Sequence, residues 1–207
     1  MDFNRILSTI MPYASLAAGV GGVIICIALT GYRFYRKRGG TCKITNVQGA
    51  AAFLLIAWMT LVVGLTILDR SADYGGQVNY WLLSGYVTAW NNRSLIEFQF
   101  IVFNMIMFMP LGFLLPLLEK RLRRYVPVVL VSVMVSLSVE TAQLLTARGI
   151  FDLDDILHNT LGGLAGYRLI DAVLISLKQK KLSIKRAYRE QKMPNRSVRP
   201  AFYDKST

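Results

Sequence analysis

The chain has 207 residues, 54% of them hydrophobic, and a formal net charge of +12. A soluble domain of this length is seldom so apolar, and the apolar residues are gathered in long blocks instead of recurring with the period of an amphipathic helix or strand. Most of the 24 Lys and Arg residues fall in segments that flank those blocks, which excludes nucleic acid as the first reading of the charge and marks it as a topology signal with an affinity for anionic lipid.

Taken in chain order, five blocks are long enough to cross a hydrocarbon core of ~30 Å as helices rising 1.5 Å per residue. They run from about Pro12 to Tyr32, Gln48 to Leu68, Phe98 to Leu118, Val126 to Thr146 and Ile156 to Leu177. The expected fold is therefore an all-α integral membrane bundle of about five transmembrane helices. The first block is read as a retained span: Arg5 is offset by Asp2, and the basic cluster follows the apolar run instead of preceding it. The segments "YRFYRKRGGTCK", "EKRLRR" and "KQKKLSIKRAYREQK" follow spans one, three and five, so the positive-inside rule places the N-terminus outside and the C-terminus in the cytoplasm. Residues 1–177 read as the membrane domain, and 178–207 as a basic cytoplasmic tail whose Lys, Arg, Ser and Pro content suits disorder. Cys26 and Cys42 fall in a span and a cytoplasmic loop and read as free thiols, and the single His excludes a His-rich metal site.

Polar groups inside the spans carry the functional signal, because each is costly in lipid. In "VPVVLVSVMVSLSVETAQLLTARG", Glu140 lies about six residues, or ~9 Å, from the outer end of the fourth span, and Gln143 shares its face. In "FQFIVFNMIMFMPLGFLLP", Asn104 lies at matching depth on the third span, Phe108 and Gly112 continue its stripe, and Pro110 removes a backbone bond near the helix centre. The stretch "RGIFDLDDILHNTLGGLAG" follows. Gly149 is expected to end the fourth span, Arg148 to sit at the outer surface, and Asp152 or Asp154 to cap the next helix. On that helix Asp155, Asn159, Gly162, Gly163 and Gly166 share one stripe, polar at the outer end and then glycine-rich for close helix packing. His158 lies one position off it. The candidate ligand-binding set is thus Asn104, Glu140, Gln143, Arg148, Asp152, Asp155 and Asn159, with Pro110, Gly112, Gly162, Gly163 and Gly166 as packing positions.

These three blocks, "NMIMFMPLGFLLP", "SVETAQ" and "RGIFDLDDILHNTLGG", resemble the VanZ-like membrane protein family in order and spacing, over about Phe98 to Asp171. The approach to the third span departs from the pattern, with "RSLIEF" placing Glu97 where a proline is expected; spans one and two carry no resemblance. The resemblance implies a multi-pass bacterial plasma-membrane protein of a family named for raised resistance to teicoplanin, a lipid-bearing glycopeptide. It implies no settled biochemical activity and no cofactor.

Three functions compete. In the first, an outer-leaflet pocket binds membrane lipid, a lipid-linked envelope precursor or a lipoglycopeptide, with Arg148 pairing an anionic head group and the aromatic linker "YGGQVNYWLLSGYVTAW" lying in the interface. In the second, a membrane-embedded enzyme uses Glu140 as general base and Arg148 on a phosphate or oxyanion, with Asp152 and Asp155 holding a divalent cation. The absence of a nucleophile motif, a phosphate loop or H-E-x-x-H counts against it. Transport ranks last, because the chain has no internal repeat and its intramembrane polar groups crowd at one side.

Overall fold

The computed structural model describes residues 44–192, apart from 69, 74 and 75, together with scattered positions between 19 and 39; the side chains of 190 and 191 are also outside the description. The first expected span falls largely outside the described residues. Among those described, four helices are long and apolar enough to cross a membrane: Asn46–Leu68, Leu95–Leu118, Tyr125–Leu145 and Leu153–Arg189, with mean hydropathies of 2.4, 2.2, 1.9 and 1.3. The protein is all-α and of membrane type.

Helix α1 (Asn46–Val63) starts with a capping box, in which Thr45 Oγ1 accepts from Gln48 N and Gln48 Oε1 accepts from Thr45 N. It widens into a π-helical turn over Gly64–Leu68. Strand β1 (Val78–Asn79) and the short helix α2 (Ser84–Asn91) follow, then α3 (Leu95–Leu118), α4 (Tyr125–Leu145), strand β2 (Phe151–Asp152) and α5 (Leu153–Lys192). The two strands pair in parallel, Val78 with Phe151 and Asn79 with Asp152. From Asp171 onward α5 forms a second compact unit. That unit is helical to Lys192, although its composition suits disorder, and its side chains are mostly exposed.

Helix α3 is the centre of the first unit. Phe108, Leu111 and Leu115 pack with Val128 of α4 and Tyr167 of α5, and Leu55 and Trp58 of α1 close the same cluster. Pro110 and Pro116 lie within α3 without ending it. A proline frees the carbonyl four residues before it and loosens the turn around it, so nearby carbonyls look for outside donors. Trp58 Nε1 donates to Met107 O at 2.8 Å, and its ring meets Phe108 edge-on at 5.7 Å between centroids. At the far end Gln48 Nε2 donates to Leu118 O, which fixes the start of α1 beside the end of α3.

The glycines decide how closely α3 and α5 approach. A methyl group at Gly162 would overlap the carbonyl of Met105, one at Gly166 the carbonyl of Met109, and one at Gly112 the carbonyl of Gly163. These are backbone atoms, so the two helices cross at a distance that only glycine allows. Gly163 faces the other way, towards Ser132 of α4. The end of α4 differs from the expectation. Ala147, not Gly149, takes the left-handed conformation (φ 55°), and Arg148 N donates back to Gln143 O at 3.0 Å in the six-to-one closure of a Schellman turn. Gly149 is small for a different reason: a Cβ there would lie 3.1 Å from both Arg70 Nη1 and Gln143 Cβ.

Candidate functional site

The polar residues gather where α4 ends, β2 begins and α5 starts. Asp152 caps α5, its Oδ1 accepting from Asp154 N at 2.8 Å, while its Oδ2 accepts from Asn79 Nδ2 at 3.1 Å across the strand pair. Asp154 caps a different helix. Its carboxylate accepts from Leu83 N, Gly85 N and Ser84 Oγ, which fixes the first turn of α2 against α5. That local bond set explains the left-handed φ of 66° at Leu83, because the turn must aim its N–H at Asp154. Asn79 Nδ2 also donates to Ser84 Oγ. One aspartate therefore serves its own helix and the next serves a neighbour.

Inside this frame Glu140 is buried, 2% exposed. Its Oε2 accepts from Asp152 N at 3.0 Å. Asp155 Oδ1 accepts from Asn104 Nδ2 at 2.5 Å. Glu140 and Asp155 are close enough for their charges to act on each other, and Arg70, which is exposed, acts on both. The structure thus brings Asn104, Glu140, Asp152 and Asp155 together from α3, α4, β2 and α5. No group of three or more His, Cys, Asp or Glu among the described residues is arranged to hold a metal ion.

The other three candidates point elsewhere. Gln143 Nε2 donates to Thr66 O at 3.1 Å, and Arg148 Nη1 donates to Ile67 O and Leu68 O at 3.2 and 3.0 Å. Both satisfy carbonyls at the π-helical end of α1, where a cation also suits the negative end of the helix dipole. Asn159 lies one turn deeper along α5 than Asp155 and donates to Ser136 Oγ at 2.8 Å.

Several site residues escaped the sequence reading. Ser132 and Ser136 continue the buried face of Glu140 and Gln143 at steps of four, one polar stripe of α4 that the spacing could have revealed. His158 is 1% exposed, neither ring nitrogen has a hydrogen-bond partner among the described residues, and Tyr86 of α2 meets it edge-on at 5.2 Å. Arg70 and Asn79 sit in a linker with no motif to mark them.

Residues 44–175 match the VanZ/LLP1 family. The chain belongs to that family. The match begins ahead of α1, so the second expected span, which carries no resemblance by eye, is part of the VanZ/LLP1 region, as are the β-strand pair and α2. Every residue of the polar cluster falls within it. Nothing among curated proteins and nothing among solved structures matches the chain.

Proposed function

We propose that this VanZ-family protein is a multi-pass protein of the bacterial plasma membrane that binds a lipid-linked or lipid-bearing molecule of the cell envelope at the outer leaflet, and that this binding underlies a link to teicoplanin-type resistance. The described spans then run with the basic segments in the cytoplasm and the polar cluster outside. The observation that carries the reading is the carboxylate of Glu140, 2% exposed and held at one oxygen by the Asp152 N–H. Burying a carboxylate is expensive, and an amide would join the helices at lower cost. With Asp155 beside it, the cluster offers acceptor oxygens to hydroxyl or amine donors, and exposed Arg70 offers a cation to an anionic group on the same ligand. Arg148, with its Nη1 on the α1 carbonyls, acts mainly by positioning that end of α1.

The test is the pair Glu140→Ala and Glu140→Gln, with membrane level and teicoplanin susceptibility of the host measured together. Loss of the phenotype in both, at normal membrane level, supports a charge-dependent site; retention in Glu140→Gln makes Glu140 a helix-joining residue. A second reading, a membrane-embedded enzyme with Glu140 as general base, draws support from the same buried carboxylate. Turnover of a lipid-linked envelope precursor by the purified protein, lost in Glu140→Gln, would favour it over binding alone.

A further inference from the structure

The linker between the first two described spans folds into more than a connection. Helix α2 is eight residues long, too short to cross a membrane, and it packs against the start of α3. Between them lies a groove of 1060 Å³, slightly above the ~300–1,000 Å³ usual for ligand pockets. Tyr86, Val87, Trp90, Leu95 and Phe98 line it with apolar surface. A transmembrane helix meets lipid along a convex surface and needs no groove; this concavity is built off the spans. Asn91, Arg93 and Ser94 line it where α2 ends and α3 begins.

Arg93 is held there by the backbone. It takes a left-handed φ of 47°, and Ser94 N donates to Ala89 O at 3.0 Å, so that α2 ends in a Schellman turn with Arg93 at its left-handed position. Arginine is a poor choice for that conformation, where Asn or Gly is easier. Its side chain is exposed and makes no hydrogen bond or ion pair among the described residues. Trp90, 85% exposed, stands on the same helix and suits a membrane–water boundary. An apolar channel with one unpaired guanidinium at its mouth is complementary to an apolar chain that carries a phosphate.

We infer that the groove between α2 and α3 is a binding site for a phosphate-bearing membrane lipid, with the chain along Tyr86, Val87, Trp90 and Phe98 and the phosphate on Arg93. The inference deepens the proposed function and rests on it, naming the ligand class as a phospholipid or polyprenyl phosphate and the groove as the seat of its chain. The end of α2 away from Arg93 is fixed to Asp154 and Tyr86 touches His158, so the bound chain lies alongside the buried cluster.

The experiment uses the full-length protein in bilayers that contain a lipid with a diazirine in its acyl chain. The probe is either phosphatidylglycerol or a diacylglycerol with the same chain, which lacks the phosphate. Irradiation followed by peptide mass spectrometry maps the adducts. Adducts concentrated on residues 83–98, about fivefold more with the phosphate-bearing probe, are expected. Arg93→Asn, which keeps an easy left-handed residue, should equalise the two probes, and Arg93→Lys should retain the preference. Adducts spread evenly over the lipid-facing helices, or a preference that survives Arg93→Asn, would overturn the inference. Loss of the groove adducts with the Glu140 phenotype intact would condemn the groove alone, while groove adducts without any Glu140 phenotype would condemn the reading of the polar cluster.

Discussion

Replacing Gly162 by alanine tests the helix crossing that holds the site together. The new methyl carbon would fall on the carbonyl of Met105, a backbone atom of α3 that no rotamer change can move. A carbon and a carbonyl oxygen in contact sit ~3.3–3.6 Å apart, so α3 and α5 must part by more than about 1 Å along this face. Overpacking of that kind costs roughly 1–3 kcal/mol, set against a gain of about 0.5–1 kcal/mol from alanine's helix propensity. A net loss of about 1–2 kcal/mol lowers the melting temperature of a chain this size by several degrees, at ~2–4 °C per kcal/mol. Thermal unfolding of the detergent-solubilised protein reads it directly. Gly49→Ala is the control, because its helical position has nothing within 4 Å of a new Cβ, and it should be neutral or slightly stabilised. Equal melting temperatures for Gly162→Ala and Gly49→Ala would refute the close crossing.

Asp154→Ala removes the cap of α2 at the cost of about 1–2 kcal/mol, and hydrogen exchange should accelerate at Leu83 to Val87 while the amides of α3 stay protected. Asn104→Leu leaves Asp155 Oδ1 without its donor and should lower stability more than Asn104→Asp, provided that one of the two facing carboxyls takes up a proton; thermal unfolding at pH 5 and pH 8 should separate the two variants, with Asn104→Asp the more stable at pH 5. Phe151→Cys should react with an impermeant thiol reagent in intact cells if the turn between α4 and α5 is external; labelling only after permeabilisation would reverse the topology.

The spans could be read from composition because membrane helices are dictated locally, by length and apolarity. The expected end at Leu118 is also where α3 ends, and the fourth span differs from α4 by one residue at each end. What escaped was non-local. Helix α2 has no cap of its own; Asp154, some seventy residues later, supplies it. The π-helical turn closes α1 because Gln143 and Arg148 take its carbonyls, and no residue within α1 announces that. The same distinction divides the candidate site. Glu140, Asp152, Asp155 and Asn104 are drawn together by depth and helix face, which spacing encodes. Gln143 shares that face and Arg148 lies just beyond it at the outer surface, yet their side chains turn to carbonyls that only the folded chain presents. His158 lies one position off the stripe, and at 1% exposed it is buried like Asn159 beside it.

The most direct measurement is glycopeptide susceptibility of cells that carry Glu140→Gln at wild-type membrane level. Glutamine can still accept the Asp152 N–H that Glu140 Oε2 accepts at 3.0 Å, so the fold and the bond to β2 survive while the charge is lost. If the cluster works through that carboxylate, the variant should behave like Glu140→Ala and lose the resistance phenotype. A glutamine variant that keeps full resistance would contradict it and leave Glu140 as a residue that only joins α4 to β2.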